Sequence, residues 1–204
     1  MPQKPRLPQL ILASGSPRRK QLLEDLDITF EICVSNVDEN VERYHSPLEY
    51  VRIVAERKAD AVRQSLRQSL HRTDGWILSA DTTVVVDGTI LGKPQDEDEA
   101  LSMLGRLQGK THSVITAICL MDTNGSSTLI DHRETKVTMK PLSTETLKAY
   151  IATGEPLDKA GAYGIQGLGS TLISGIEGDY FNVVGLSLSL LSDMFEKIGY
   201  SVLG

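Results

Sequence analysis

Short apolar runs alternate with amphipathic helical stretches along this 204-residue chain, and no other feature restricts its fold as strongly. The first apolar run spans residues 9–13, and it leads through a small-residue turn into a helical stretch with Pro17 at its first position. A second run at residues 30–34 precedes a long helical pattern from Leu48 to Leu70, with an apolar residue every three or four positions. Such alternation is typical of α/β or mixed α+β proteins with a mixed β-sheet. We predict that class, with residues 10–204 forming a single domain.

Turn and cap signals place the remaining elements. Asp87-Gly88 and Asn124-Gly125 are hairpin signals, so we expect strands on both sides of each. Ser46-Pro47-Leu48-Glu49 matches a capping box and predicts the start of the long helix. The other predicted elements are strands at 76–80, 84–86, 89–91, 113–121, 128–139 and 170–176, and helices at 18–26, 96–107, 144–153 and 186–198.

Composition and the amino terminus restrict the compartment and the partners. Three prolines interrupt residues 1–9, which lack the apolar stretch of a secretion signal, so we predict a disordered leader and a cytoplasmic protein. No apolar run approaches the roughly 18 residues of a membrane span. The net charge of −6 argues against broad nucleic-acid binding.

Cys33 and Cys119 lie in apolar segments and are expected to be buried, reduced thiols. Whether the protein forms a homodimer stays open, because the long helix and the late strands can expose apolar surface.

Two common nucleotide-binding signatures are absent. Gly105 and Gly109 are separated by three residues, whereas a P-loop needs four, and they follow a helix rather than a strand. The glycines at 164, 167 and 169 run in the reverse spacing of a dinucleotide fingerprint. The four histidines match no metal spacing.

One acidic residue stands at the end of a buried apolar run. Asp81 follows residues 76–80 and precedes two threonines. A carboxylate at the mouth of a buried strand is costly to keep charged unless a cation accompanies it. Two interpretations stay open from the residues alone: a carboxylate that caps the following turn, and a metal-assisted base.

Several cations stand at unusual positions. The segment Ser14-Gly15-Ser16-Pro17-Arg18-Arg19 is a strand-to-helix turn whose N–H groups and guanidinium groups suit a polyphosphate. A capped helix with solvated arginines explains the same residues equally well. Lys58 lies on the buried side of the long helix, so its ammonium group either snorkels outward or points into a cleft. Lys93 lies on a rigid glycine-proline turn.

Four motifs in this order resemble the Maf family of nucleoside triphosphate pyrophosphatases. They are residues 14–19, Val37-Asp38-Glu39, Ala80-Asp81-Thr82 and the glycine-rich segment 154–167. The likeness covers nearly the whole chain. It implies an elongated mixed sheet flanked by helices, related to the inosine triphosphate pyrophosphatase fold, in two lobes with a central cleft. It also implies an enzyme that releases pyrophosphate from a nucleoside triphosphate and leaves the monophosphate.

The resemblance also implies roles for individual residues. Asp81 becomes the catalytic proton acceptor and, together with Glu39, a ligand of a divalent cation, Mg²⁺ or Mn²⁺. Residues implied to surround the phosphates are Ser14, Arg18, Arg19, Lys58 and Lys93.

Three further positions track base preference within the family. Arg18, Thr82 and Gln166 match the branch that resembles dTTP and UTP pyrophosphatases, and modified pyrimidine triphosphates stay open as substrates. Gln166 can both donate and accept hydrogen bonds, as a uracil or thymine edge requires. The branch that acts on 7-methylguanosine triphosphate carries an aromatic residue, a glutamine and a glutamate at these positions. That branch, and a nucleotide-binding regulator of cell division without catalysis, are the alternatives.

Overall fold

The computed structural model describes residues 9–69 and 74–203. The predicted leader, apart from Gln9, lies outside these ranges, and so does Leu70 in the long helical pattern. Gln9 begins the first strand, so its assignment to the leader is wrong.

Strands and helices alternate along the described residues as the sequence predicts. The strands are β1 (Gln9–Leu12), β2 (Phe30–Ile32), β3 (Gly75–Val86), β4 (Thr89–Leu91), β5 (Thr111–Asp122), β6 (Thr128–Met139) and β7 (Ile173–Glu177). The helices are α1 (Pro17–Glu24), α2 (Pro47–Gln68), α3 (Glu97–Leu107), α4 (Thr144–Ile151), α5 (Tyr180–Val184) and α6 (Leu188–Lys197). Three 3₁₀ turns cover Glu155–Asp158, Ala160–Ala162 and Gly167–Leu172.

These strands form a mixed sheet with the order β2-β1-β3-β5-β6-β7, and β4 pairs with β3. β1 is parallel to both β2 and β3, whereas β4 is antiparallel to β3 and β7 is antiparallel to β6. The prediction of a mixed α/β fold is confirmed.

The chain divides into two compact units. The described part of the first unit lies within Met1–Asp81, Ala117–His132 and Gly185–Gly204. Its buried residues include Leu10, Leu23, Val54, Ile77 and Phe195. The second unit comprises Thr82–Thr116 and Arg133–Val184. Its core includes Val84, Leu104, Val137, Tyr150 and Leu172. Burying a large apolar side chain stabilises a fold by about 1.5–3 kcal/mol.

The long helix α2 begins as its capping signal predicts, with one difference. The Ser46 hydroxyl accepts the N–H of Glu49 at 3.2 Å. The Glu49 carboxylate accepts the N–H of His45 at 2.6 Å, one residue before the position in a standard capping box. The predicted start of the helix is therefore confirmed, while the reciprocal bond falls on the preceding residue.

The sequence predicts two strands at residues 76–80 and 84–86, but the structure has one continuous strand, β3. Asp81 lies inside this strand, so the prediction that it ends a strand, or caps a turn after it, is wrong. Thr82 and Thr83 are β-branched and favour extended backbone. A cation also meets the Asp81 charge, as described below, so the strand does not need to end there.

Two other boundaries differ from prediction. Residues 170–172 belong to a 3₁₀ turn rather than to a strand, and β7 begins at Ile173. The predicted helix 186–198 begins later, at Leu188, where the Ser187 hydroxyl accepts the N–H of Leu190. The short helix α5 is not predicted, because five residues are too few to show a helical period.

The two cysteines are free thiols, as predicted, but only one is fully buried. Cys119 is buried, and this burial raises the pKa of its thiol to about 12. Cys33 is half-buried, so its predicted burial is only partly correct. Among the helices of residues 9–69 and 74–203, none has both the length and the apolar character needed to cross a membrane.

Candidate active site

The site begins where β1 ends and its neighbour β3 continues. Leu12 pairs with Leu78, and the N–H of Ala13 donates to the Leu78 carbonyl at 2.8 Å. β3 then continues past Asp81, which therefore lies just beyond the end of β1. In α/β sheets, ligands bind outside the carboxyl ends of parallel strands.

Packing of α2 on β3 places a lysine against this aspartate. The Ser79 hydroxyl donates to the Ala55 carbonyl at 2.5 Å. Asp81 lies two residues after Ser79 and so projects from the same face of the strand. Lys58 lies three residues after Ala55 and so shares its helix face. The two spacings together bring Lys58 and Asp81 into contact.

The Lys58 ammonium group bridges two carboxylates. Its Nζ lies 2.9 Å from Oδ1 of Asp81 and 2.9 Å from Oε1 of Glu39. Lys58 is 8% exposed and Asp81 is 6% exposed, whereas half of the Glu39 side chain is exposed. Of the two alternatives for Lys58, the structure shows the inward one.

A buried arginine lies in the same unit. Nε of Arg19 donates to the Gly185 carbonyl at 2.8 Å, and Nη1 donates to the Ser14 hydroxyl at 3.2 Å. The Ser14 hydroxyl also accepts the N–H of Ser16 at 3.2 Å. Ser16 occupies the N-cap position of α1 without a side-chain capping bond. Arg19 is therefore not one of the solvated arginines of the capped-helix alternative, because it is buried. Arg18 is half-buried and so partly exposed to solvent.

Arg19, Glu39, Lys58 and Asp81 are called the ionic cluster below. Burial raises the pKa of the Asp81 carboxyl, Lys58 and Arg19 oppose this shift, and Glu39 adds to it. Burial likewise lowers the pKa of the Arg19 guanidinium, against the attraction of Asp81. The four groups therefore act on one another electrostatically, and burial determines the direction of both shifts.

Two residues of α2 fix the loop that carries Glu39. The Tyr50 hydroxyl donates to the Glu39 carbonyl at 3.1 Å, and Nη1 of Arg57 donates to the Asn40 carbonyl at 2.8 Å. Burial, followed by the charges of Asp81 and Glu39, raises the pKa of Tyr50. Neither positioning residue is predicted from the sequence, because their helical spacing gives no signal of a loop partner.

Two carboxylates of the ionic cluster, Asp81 and Glu39, are of the kind that ligate a divalent cation. Asp81 and Glu39 already place one carboxylate oxygen each on a single cationic atom, Nζ of Lys58. Within the described ranges, no group of three His, Cys, Asp or Glu side chains can hold a metal ion. Magnesium is commonly bound by one or two carboxylates together with substrate phosphates and water. The two acids therefore suit an ion whose shell a polyphosphate completes.

Thr82 belongs to the second unit, where a buried polar network contacts it. Its hydroxyl lies 2.9 Å from the Thr116 hydroxyl, which donates to the Asn182 carbonyl at 2.8 Å. A hydroxyl has one proton, so Thr82 must donate to Thr116. The amide nitrogen of Asn182 then donates to the Val114 carbonyl and to the Thr135 hydroxyl.

The remaining predicted residues also lie in the second unit. Lys93 is exposed and follows the end of β4 by two residues. Gln166 is exposed at the start of the 3₁₀ turn Gly167–Leu172. The nine predicted site residues are thus distributed as Ser14, Arg18, Arg19, Glu39, Lys58 and Asp81 in the first unit, and Thr82, Lys93 and Gln166 in the second.

The fold and the site define an α/β protein in which two carboxylates share one cation near the carboxyl ends of parallel strands, where α/β sheets bind their ligands. Within that class, this chain belongs to the Maf-like family, whose model, described as "Maf-like protein", matches residues 9–198.

Relatives of nearly the same length support this assignment. A protein of Symbiobacterium thermophilum named dTTP/UTP pyrophosphatase is 49% identical, over 95% of this chain and 96% of its own length. One of Pelotomaculum thermopropionicum with the same name is 45% identical, over 96% of this chain and 99% of its own length.

Among solved structures, the Ham1 protein of Staphylococcus aureus has a similar fold. The TM-score is 0.50 at 13% sequence identity, and the match covers 93% of this chain and 99% of that one. At this identity the likeness concerns the fold alone.

Proposed function

We propose that this protein hydrolyses UTP and dTTP to the nucleoside monophosphate and pyrophosphate. The observation that carries the proposal is the ionic cluster, in which Asp81 and Glu39 both lie 2.9 Å from one cationic atom beside a strand-to-helix turn. The names of the relatives at 45–49% identity support the same reaction.

Asp81 is the proposed proton acceptor. A water molecule attacks the α-phosphorus, its proton passes to the Asp81 carboxylate, and the bond to the bridging oxygen breaks as pyrophosphate departs. In the metal-free protein, burial raises the pKa of the Asp81 carboxyl, and a proton acceptor works best when its pKa lies near the working pH.

The cations would stabilise the charge that grows on the departing pyrophosphate. Lys58 is already next to Asp81, and Arg19 is oriented by its bonds to Ser14 and Gly185, so neither needs a large rearrangement to act. Arg18 and Lys93 are proposed as additional phosphate partners. A divalent cation bound by Asp81 and Glu39 would polarise the phosphoryl oxygens.

Base preference is assigned to Thr82 and Gln166, together with Arg18. Since Thr82 donates its proton to Thr116, it presents oxygen lone pairs that can accept the N–H of a uracil or thymine edge. The Gln166 amide can donate to a carbonyl on that edge. A site that pairs polar groups with its substrate can reject a mismatched base by about 10⁴-fold.

The proposed substrate is a free nucleotide rather than a nucleic acid. The net charge of −6 supports this choice, because nucleic-acid binding generally requires a basic surface.

The direct test is turnover of a panel of purified triphosphates. UTP, dTTP, CTP, GTP and 7-methylguanosine triphosphate are incubated with the protein, with and without Mg²⁺ or Mn²⁺, and monophosphate and pyrophosphate are quantified by chromatography. We expect metal-dependent release of equal amounts of monophosphate and pyrophosphate, fastest with UTP and dTTP.

Other results would select an alternative. Retention of intact nucleotide at one molecule per protein in the presence of Mg²⁺ would contradict hydrolysis and favour a regulator. Fastest turnover of 7-methylguanosine triphosphate would contradict the proposed base preference and favour that branch of the family.

A further inference from the structure

Glu155 contacts groups that lie far along the chain. Its Oε1 accepts the Gly169 N–H and the Tyr150 hydroxyl, each at 2.9 Å, and its Oε2 accepts the Leu168 N–H at 2.9 Å. One carboxylate therefore ties the 3₁₀ turn Glu155–Asp158 to the 3₁₀ turn Gly167–Leu172 and to α4. Glu155 with these three partners is called the Glu155 bracket below.

Tyr150 fixes a second point on the same segment. Besides donating to Glu155, its hydroxyl accepts the Gly164 N–H at 3.2 Å. Tyr150 is 5% exposed, so its position is set by the core of the second unit. Gln166 lies between Gly164 and Leu168, and each of these two residues is two positions away from it.

The segment also packs too closely to admit other side chains. A Cβ atom on Gly169 would lie 2.4 Å from the Gly164 carbonyl oxygen and 2.6 Å from the Tyr150 hydroxyl. Gly167 has a φ of +66°, and a Cβ there would lie 2.8 Å from Oε2 of Glu155. The backbone after Gln166 is therefore closed around the Glu155 carboxylate, and Gly164 before it lies against Gly169 and the Tyr150 hydroxyl.

The charge of Glu155 suits this arrangement. Burial opposes its ionisation, but the N–H groups of Gly169 and Leu168, followed by the Tyr150 hydroxyl and Lys159, outweigh burial and lower its pKa. Lys159 also donates to the Glu155 carbonyl at 2.6 Å. The carboxylate therefore stays ionised at neutral pH, where an anion accepts several N–H bonds at once.

We infer that Glu155 is a positioning residue for base preference, because it fixes the backbone from which Gln166 extends. This inference rests on the proposed function, in which Gln166 contacts the base. Glu155 itself contacts no reacting atom in that proposal. Its removal should therefore change discrimination between bases more than the handling of the phosphates.

The test compares Glu155→Gln with the unmodified protein. The amide keeps the size of the carboxylate but replaces one acceptor oxygen with a donor, so one backbone N–H loses its partner. We expect kcat/KM for UTP to fall by about tenfold, as a small displacement of a substrate contact can cause. CTP has an amino group where UTP has its 4-carbonyl, so it cannot accept a hydrogen bond from the Gln166 amide there. Its kcat/KM should therefore change by less than about twofold, and the UTP-to-CTP ratio should fall.

Two further variants sharpen the result. Tyr150→Phe retains the ring and the two amide contacts of Glu155 but removes the hydroxyl, so the same ratio should fall by about threefold. Glu177→Gln alters an exposed glutamate at the end of β7 and should leave the ratio unchanged. Inhibition by pyrophosphate, which lacks a base, should be the same in all of these proteins.

The outcomes separate this inference from the proposed function. If the unmodified protein does not release pyrophosphate from UTP, the proposed function fails. If it does, an unchanged UTP-to-CTP ratio in both Glu155→Gln and Tyr150→Phe overturns the role of Glu155. An equal loss for every nucleotide, with weaker pyrophosphate inhibition, overturns it as well, since that pattern indicates general disruption.

Discussion

The ionic cluster and the Glu155 bracket are both built around carboxylates, but they stabilise their surroundings differently. The ionic cluster joins charged side chains from α1, α2, β3 and the loop after β2. The bracket joins one carboxylate to a tyrosine hydroxyl and to backbone N–H groups of one continuous segment. The first therefore depends on the balance of charges, and the second depends on backbone geometry.

The two carboxylates also have opposite pKa shifts. Burial raises the pKa of Asp81 despite its two cationic neighbours, whereas several donors lower the pKa of Glu155 despite its partial burial. When their environments shift the pKa values of two acids in opposite directions, the two acids are suited to different tasks. Asp81 is suited to accept a proton, and Glu155 is suited to remain charged.

The largest effect should come from neutralising the acid of the ionic cluster. Asp81→Asn retains size and leaves Lys58 its contact with Glu39, so folding should change little. Loss of a general base should lower kcat for UTP by about 10³-fold. Steady-state kinetics measure this, with nucleotide affinity and thermal unfolding determined in parallel. Asp87→Asn, which changes an exposed acid in a hairpin turn, is the matched control and should leave turnover unchanged. Unaltered turnover in Asp81→Asn would remove Asp81 from its proposed role.

Removing Lys58, one of the two cations of the ionic cluster, should lower the stability of the protein as well as its turnover. Lys58→Met leaves two carboxylates facing each other, and breaking a buried ion pair costs about 3 kcal/mol in the free energy of unfolding. Urea unfolding at several pH values measures the cost. Lys110→Met removes an exposed ammonium group paired with Asp87 and should cost less than about 1 kcal/mol.

The pH dependence of the Lys58→Met variant follows from the shift of Asp81. Its pKa in the folded protein is raised, so its contribution to stability is complete below the unfolded value and is lost as the pH rises through the folded value. Without Lys58 the shift should grow. The difference in stability between wild type and variant should therefore widen as the pH rises above about 4. A difference that stays constant with pH would contradict this account.

The stability of the Glu155 bracket should depend on close packing of the backbone rather than on charge. Gly169→Ala forces a Cβ against the Gly164 carbonyl and the Tyr150 hydroxyl, and such overpacking costs about 2 kcal/mol in the free energy of unfolding. Gly105→Ala, in α3 with no atom within 4 Å of the added Cβ, should instead stabilise the protein by about 0.5–1 kcal/mol. Urea unfolding of both variants measures the contrast, and equal effects would show that the close approach at Gly169 is unimportant.

These two regions also differ in how far the sequence predicts them. The buried position of Lys58 and the acid after residues 76–80 are visible in the sequence, because helical and strand periods reveal which face is buried. The continuity of β3 through Asp81 is not visible in the sequence, because burying a charged carboxylate inside a strand is costly. Only its partner in the folded protein, Lys58, offsets that cost. The contacts of Glu155 are invisible as well, because the segment after it has no period that predicts which N–H groups return to the carboxylate.

The smallest effect should come from the residue that fixes the Glu39 loop. Tyr50→Phe removes the hydrogen bond to the Glu39 carbonyl, which contributes about 1 kcal/mol. Because this loop presents one of the two proposed metal ligands, the Mg²⁺ concentration for half-maximal UTP turnover should rise about fivefold, the equivalent of that energy. The rate at saturating Mg²⁺ should stay the same, since Asp81 is untouched. Tyr44→Phe retains the ring that packs edge-on against Tyr50 and should leave both quantities unchanged. A lower rate at saturating Mg²⁺ in Tyr50→Phe would instead place Tyr50 in the chemistry of the ionic cluster, and the distinction between positioning and catalysis drawn for this loop would be wrong.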